Sequence, residues 1–242
     1  MKPILFINLF VLFLLGCSPK NQIIQPDPTS FKLQNPLIEK ENWKGNDFNY
    51  YRDYRDIKAA TQDTNSTIHI DELIIKFNAL NEPISLKEKV CLLVGGTALK
   101  GYLDERLLIL NRQADSLMRL KQYEKAIKVA DSCLTIFPLD VAAILDKWSS
   151  YGELKDSIKE RHYYGQSAVL FTGIMHSGGI KKEAPMILLS EECLYGYTAL
   201  WASGGGYRFV EEYTDQEGNW VRGYEALGLT DYFLIPPKER PK

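Results

Sequence analysis

The chain has 242 residues, 45% of them apolar and 12% aromatic, which is enough to build one sizeable core or a core with an appended lobe. Lys and Arg total 29 against 31 acidic residues, a formal net charge of −2 with no basic stripe, and this argues against nucleic acid as a partner. The four cysteines include no Cys-x-x-Cys pair, so neither a disulfide framework nor a structural zinc site is indicated.

Residues 1–16 read as a targeting segment. Lys2 is its only charge, and an apolar run extends from Pro3 to Leu15. The run is too short for a membrane span and suits the core of a signal peptide. It closes with Leu14-Leu15-Gly16-Cys17, which resembles the lipobox of bacterial lipoproteins. That resemblance implies a lipid on Cys17 and a membrane anchor without a spanning helix. Residues 17–46 follow as an expected flexible tether. Ser18 to Ser30 holds three prolines and almost no aliphatic residue beyond Ile23-Ile24, too little apolar surface to offset the entropy of ordering.

A helical domain is expected over 47–183. Asp47 to Ala60 spaces Phe48, Tyr50, Tyr51, Tyr54 and Ile57 as one broad aromatic face, and Asp71 to Leu80 repeats the pattern with Leu73, Ile74 and Phe77. Ser85-Leu86-Lys87-Glu88 is a capping box that opens a helix running to Gly95-Gly96. From Leu107 to Pro138 the chain reads as two helices joined at Lys121-Gln122. In the second of these, Tyr123, Ala126, Ala130, Cys133 and Pro138 follow the second half of a tetratricopeptide (TPR) repeat. Small residues on successive turns let antiparallel helices approach, and the proline stops the second. Asp140 caps a third helix carrying Val141, Ile144, Leu145, Trp148 and Tyr151. A fourth, from about Asp156 to His176, is expected to present Tyr164, Ala168, Phe171 and Met175 and to stop at Ser177-Gly178-Gly179. A shift of 34 residues places Leu117 on Tyr151 but sets Ala126 on Glu160 and Pro138 on Thr172, so this pair reads as a degenerate repeat.

The texture changes over 184–242, read as a small β-rich element packed on the helices. Met186 to Leu189 is an expected buried strand, and Leu194 to Trp201 is ambiguous between helix and strand. Ser203 to Gly206 is a loop. Tyr207–Tyr213 and Trp220–Tyr224 flank a polar turn as a hairpin, and Tyr232 to Ile235 is a last strand ended by Pro236-Pro237. The fold class is therefore mainly α (α+β), a TPR-like body of antiparallel helix hairpins with a small β-rich C-terminal element.

The order of these features carries a resemblance. It comprises an exported start, a Tyr-rich helix, Asn65-Ser66-Thr67 followed by Leu73 and Lys76-Phe77, the Ser85-Leu86-x-Glu88 helix, one TPR-like hairpin and a glycine loop. Together they resemble the bacterial domain-of-unknown-function family four-nine-one-nine over roughly residues 45–200. The chain departs from that pattern at Leu93-Val94-Gly95, where the family ends a helix in Tyr-Tyr-Gly. It departs again at Ser177-Gly178-Gly179, where a Gly-Asp-Gly-like loop is expected. The resemblance implies a fold and brings no activity with it.

Catalytic patterns are sparse. His69, His162 and His176 have no metal-ligand spacing, and there is no nucleophile elbow or phosphate loop. The candidate polar site is His176 with Ser177, Glu191 and Glu192; the plainer reading is a helix terminus beside two solvated carboxylates. Tyr50, Tyr51, Tyr54, Tyr207, Tyr213 and Trp220 could stack on sugar rings or simply pack. Cys133 reads as a buried hydrophobe, while Cys91 and Cys193 could pair. No cofactor and no metal are expected. The leading expectation is a non-catalytic lipoprotein of the Gram-negative envelope, lipid-anchored at Cys17 to the outer membrane and facing the periplasm. It would bind an envelope protein or peptide on its TPR-like helices. The alternatives are a lipoprotein that binds carbohydrate or another small ligand, and a cryptic hydrolase built on His162 or His176.

Overall fold

A computed structural model describes residues 35–179, 181–194, 208–226 and 228–237. These described residues belong to one compact unit, and the expected helical and β-rich parts share a single core. The expected tether reaches too far. Residues 35–46 belong to the folded body, with Leu37 7% and Trp43 8% exposed. Here Asn35 caps a single-turn helix, α1 (Pro36–Glu39), with Pro36 in the first turn, where no N–H is needed. The Trp43 indole N–H donates to the Leu37 carbonyl at 3.0 Å.

Three helices follow. α2 (Tyr50–Gln62) starts at Asn49, whose side chain accepts the Arg52 N–H. α3 (Ile70–Ala79) turns its Leu73 and Phe77 inward and ends on Leu80 at φ 46°, a left-handed terminus. α4 (Leu86–Gly96) opens with the capping box complete, Ser85 accepting from the Glu88 N–H and Glu88 accepting from the Ser85 N–H. It is buried from Val90 to Gly96 because α2, α3 and a later helix all pack around it.

The two TPR-like hairpins are α5 (Glu105–Arg119) with α6 (Tyr123–Ile136), and α7 (Val141–Glu153) with α8 (Ser157–His176). Ala126, Ala130 and Cys133 are fully buried against their neighbours, as the small-residue stripe requires. The second hairpin is far less degenerate than its sequence. Both turns close by the same pattern: the Gln122 N–H donates to the Leu117 carbonyl at 2.9 Å, and the Asp156 N–H to the Tyr151 carbonyl at 2.9 Å. Lys121 at φ 57° and Lys155 at φ 60° take the left-handed position that glycine usually fills. These pairs lie one 34-residue period apart. Glu160, standing where the first hairpin has Ala126, faces Gly152, and a Cβ added at Gly152 would sit 3.3 Å from the Glu160 carboxylate. Gly152 itself stands where the first hairpin has Met118, so the small member of the pair has changed helices. Thr172, in place of Pro138, lets α8 continue to His176.

α8 does not present the single face expected of it. Tyr164 is 43% exposed, whereas Gln166, Ser167, Val169, Leu170, Phe171, Gly173 and Ile174 are buried. The helix is covered on two sides, by α7 and by α4, and the approach of α4 is close: a Cβ on Gly173 would lie 2.8 Å from the Lys89 carbonyl oxygen.

The C-terminal sheet has the order β1 (Met186–Ile187), β4 (Leu229–Ile235), β3 (Trp220–Ala226), β2 (Arg208–Thr214). β1 runs parallel to β4, and the other pairs are antiparallel, with Val221 opposite Leu234 and Arg222 opposite Phe233. Val221, Phe233 and Leu234 enter the same core as α2 and α4. The ambiguous stretch from Leu194 to Trp201 lies almost wholly outside the described residues, as does the loop Ser203 to Gly206. No described helix is long and apolar enough to cross a membrane.

Candidate functional site

The four residues singled out near the glycine loop have separate partners. Ser177, fully buried, donates to the Ile174 carbonyl at 2.8 Å and accepts the Ile187 N–H at 2.8 Å. Its hydroxyl therefore ties the end of α8 to β1, with both its bonds used by backbone. The half-buried His176 ring lies against the strap formed by residues 35–46, where a Cβ on Gly45 would be 3.0 Å from Nδ1. Burial and the Lys89 ammonium hold its pKa below the ordinary histidine value. Glu191 pairs with Arg222 at 3.1 Å, and Glu192 is half-buried within electrostatic reach of Asp140. Proximity along the chain misled here, because the reversal between α8 and β1 sends these side chains to different neighbours. His162 stands edge-on to Tyr163, its pKa lowered by burial and by Lys147. Among the described residues, no cluster of His, Cys, Asp and Glu could hold a metal ion. Cys17 lies outside the described residues.

The aromatic candidates serve mainly as fasteners. Tyr50 and Tyr54 are 3% and 8% exposed, so neither ring offers a face to a sugar. The Tyr50 hydroxyl donates to Asn219 Oδ1 at 3.3 Å, Tyr51 to Asp215 Oδ2 at 3.0 Å, and Tyr54 shares a 2.7 Å bond with Thr97. Tyr50 and Tyr51 clamp the β2–β3 turn onto α2, and Tyr54 ties α2 to the end of α4. An open cleft of about 740 Å³ lies beside them, walled by Arg55, Lys58, Gln62, Lys100 and Glu217. Trp220 is 43% exposed, but the Arg222 guanidinium covers one face of its ring at 3.8 Å. Tyr213 is half-buried beneath the Lys182 ammonium, and Tyr207 lies outside the described residues.

The hairpin stack presents a third surface. α5 and α7 lie side by side, as do α6 and α7, which is the arrangement of successive TPR hairpins. Between them runs a buried polar link. The Cys133 thiol donates to Asn111 Oδ1 at 3.3 Å, the Asn111 amide donates to Asp140 at 3.2 Å, and Asp140 accepts the Ala143 N–H at 3.0 Å. Asp146, on α7, has its pKa pushed up to about 7 by burial and then by the carboxylates of Asp115 and Asp140. Sequence reading passed over Asp146. Its only signal is an acid directly after the apolar run Val141 to Leu145 of α7. Cys91, Cys133 and Cys193 are free and buried, so the open pairing of Cys91 with Cys193 resolves as two thiols, and burial pushes the pKa of each of these two up to about 12.

The Asp146 shift has a stability consequence. Its folded pKa, near 7, lies above the ordinary value of 3.8, so the folded state holds a proton that the unfolded chain has already released. Stability therefore falls as pH rises from about 4 to about 7 and is level above that. Asp146→Asn is expected to remove this slope and to stabilise the protein at pH 8 by on the order of 1–3 kcal/mol, with little effect at pH 4. Urea melts at the two pH values measure it. Equal effects at both would show that Asp146 is ionised like an exposed carboxylate.

Comparison of the chain with protein-family models, with curated proteins and with solved structures finds no match in any of the three.

Proposed function

We propose that the protein is a non-catalytic lipoprotein of the bacterial cell envelope that docks a protein or peptide partner on its two TPR-like hairpins. The observation that carries this reading is the stacking of α5 against α7, which sets the inner helices of two hairpins side by side. Such an arrangement offers side chains from successive helices to one extended ligand. Burial and the nearby Asp115 carboxylate keep a proton on Asp146, and a basic side chain brought to that face would let Asp146 ionise and pair with it, which favours a partner with basic side chains. The Leu15-Gly16-Cys17 ending supports lipidation at Cys17, and an outer-membrane, periplasm-facing placement is part of the same proposal. Kinship with family four-nine-one-nine rests on the order of its motifs. The small-ligand reading draws on the cleft beside Tyr54, whose volume would suit a small molecule. It draws less from the aromatic residues, whose faces are covered.

Crosslinking in intact envelopes, followed by capture of the chain, tests the proposal. A specific protein partner lost on Asp115→Arg with Asp146→Arg is expected, since a reversed face repels basic side chains. Cys17→Ala is expected to move the protein out of the membrane fraction. A partner retained by the reversed face would sink the docking reading, and a Cys17→Ala protein still processed and held like the parent would sink the lipid anchor.

A further inference from the structure

The turn ends of the two hairpins carry an apolar edge tipped by lysines that the docking of a peptide between α5 and α7 does not use. Both turns lie at the same end of the stack, and two contacts hold them together. The Tyr123 hydroxyl donates to Glu153 at 3.3 Å, and the Ser150 hydroxyl to Met118 Sδ at 2.9 Å. Because the turns share one geometry, the same pair of residues tips each of them: Leu120-Lys121 and Leu154-Lys155. Leu120 is 66% exposed, Leu154 37%, and Ile158, one turn into α8, 83%. An apolar group repeated at successive tips is unusual on a surface that meets only water.

The charges at this edge are sorted. Asp115 is paired with Arg119 at 2.8 Å and Asp156 with Lys159 at 3.1 Å, while Glu153 accepts from the Tyr123 hydroxyl and keeps its charge. Lys121 and Lys155 are exposed and have no ion-pair partner among the described residues. Glu124 and Glu153 are exposed acids of the same edge, so its charge is close to balanced, but the charges on the projecting tips themselves are Lys121 and Lys155, each directly after an exposed leucine.

We propose that this edge docks onto a lipid surface bearing anionic headgroups, with Leu120, Leu154 and Ile158 entering the interface and Lys121 and Lys155 meeting the headgroups. The shape favours lipid over a folded partner, since the apolar groups stand on projecting turns and line no groove. A bilayer accepts projecting apolar groups at the depth of its headgroups and rewards lysines beside them. The inference rests on the reading that the chain is held at a membrane through Cys17. The second contact would then fix the orientation of the body, leaving the α5–α7 face open to a partner.

The test uses the full chain with vesicles of brominated phosphatidylcholine, with and without phosphatidylglycerol. Leu120→Trp places a fluorophore at the tip without repacking, because Leu120 is already exposed. Ile109→Trp is the control, on a residue 68% exposed near the other end of α5. Bromine quenching is expected for Leu120→Trp beyond the parent signal, stronger with phosphatidylglycerol, and absent for Ile109→Trp. Adding Lys121→Gln and Lys155→Gln to Leu120→Trp should lower the docked-to-undocked ratio about 25-fold, about fivefold for each charge. Quenching equal to the Ile109→Trp control overturns the proposal. So does a fluorescence shift that follows protein concentration without vesicles, which would assign the edge to a second copy. The mass of the chain reports acylation at Cys17 separately. The quenching difference is read equally on unacylated chain added from solution, so loss of the anchor and loss of docking are distinct results.

Discussion

Asp53→Ala is expected to destabilise the protein by about 3 kcal/mol and to free residues 35–46 from the body. The Asp53 side chain is wholly buried and accepts four hydrogen bonds. They come from the Asn35 amide at 2.9 Å, the Asn49 N–H at 2.8 Å, and the Arg52 guanidinium at 2.7 Å and 2.6 Å. Removing the carboxylate affects these donors unequally. The Arg52 side chain is 58% exposed and recovers water when its partner goes. Asn35 is buried, and the Asn49 N–H stands at the start of α2, so these two carry most of the loss. Without Asn35 held, α1 has lost its main polar link to α2. Denaturant melts give the stability change, and hydrogen exchange at the Ile38 and Lys40 amides, both bonded within the strap, gives the local one. An unchanged midpoint together with unchanged exchange would show that apolar burial of Leu37 and Trp43 alone holds the strap.

This strap shows what kind of information a sequence withholds. Polar, proline-bearing composition pointed to a tether, and the residues that fold it down are Asn35 and Asp53, far apart in the chain and without local pattern. By contrast, Ser85 and Glu88 form their capping box through bonds spanning three residues, and that feature was legible at once. The first hairpin was legible because Ala126, Ala130 and Cys133 place the small side chains all on one helix. The second was half hidden because the small residue had moved across the contact, with Gly152 facing Glu160, and a position-by-position shift cannot register an exchange between partners. α8 showed no clean face because two neighbours bury it from different directions. The expected polar site failed for a related reason. Ser177 and Glu191 are near in sequence, but a chain reversal separates their partners, while Asp146 draws its raised pKa from burial, then from Asp115 on α5 and from Asp140 at the cap of its own helix.

Ala126→Trp is expected to be the most damaging single change in the hairpin stack, costing at least about 3 kcal/mol, because overpacking a closed helix contact forces backbone shifts. Ala126 is 0% exposed, as are Ala130 and Cys133 along the same stripe of α6. An indole there must push α6 away from its neighbours. α6 is the helix between α5 and α7, so its displacement alters both hairpins and opens the link from Cys133 through Asn111 to Asp140. Lys128→Trp, on an exposed position of the same helix, separates the steric effect from any change in helix propensity and is expected to melt like the parent. The pair of variants also bears on function. If a partner lies along α5 and α7, Ala126→Trp should lose it even under conditions where most of the chain is still folded, since the spacing of those two helices is set by α6. A partner retained under those conditions would place the binding surface elsewhere, with the cleft beside Tyr54 the next to examine. An Ala126→Trp protein that melts like the parent would mean that α6 is not the packed spine of the stack, and the TPR-like reading of both hairpins would fall with it.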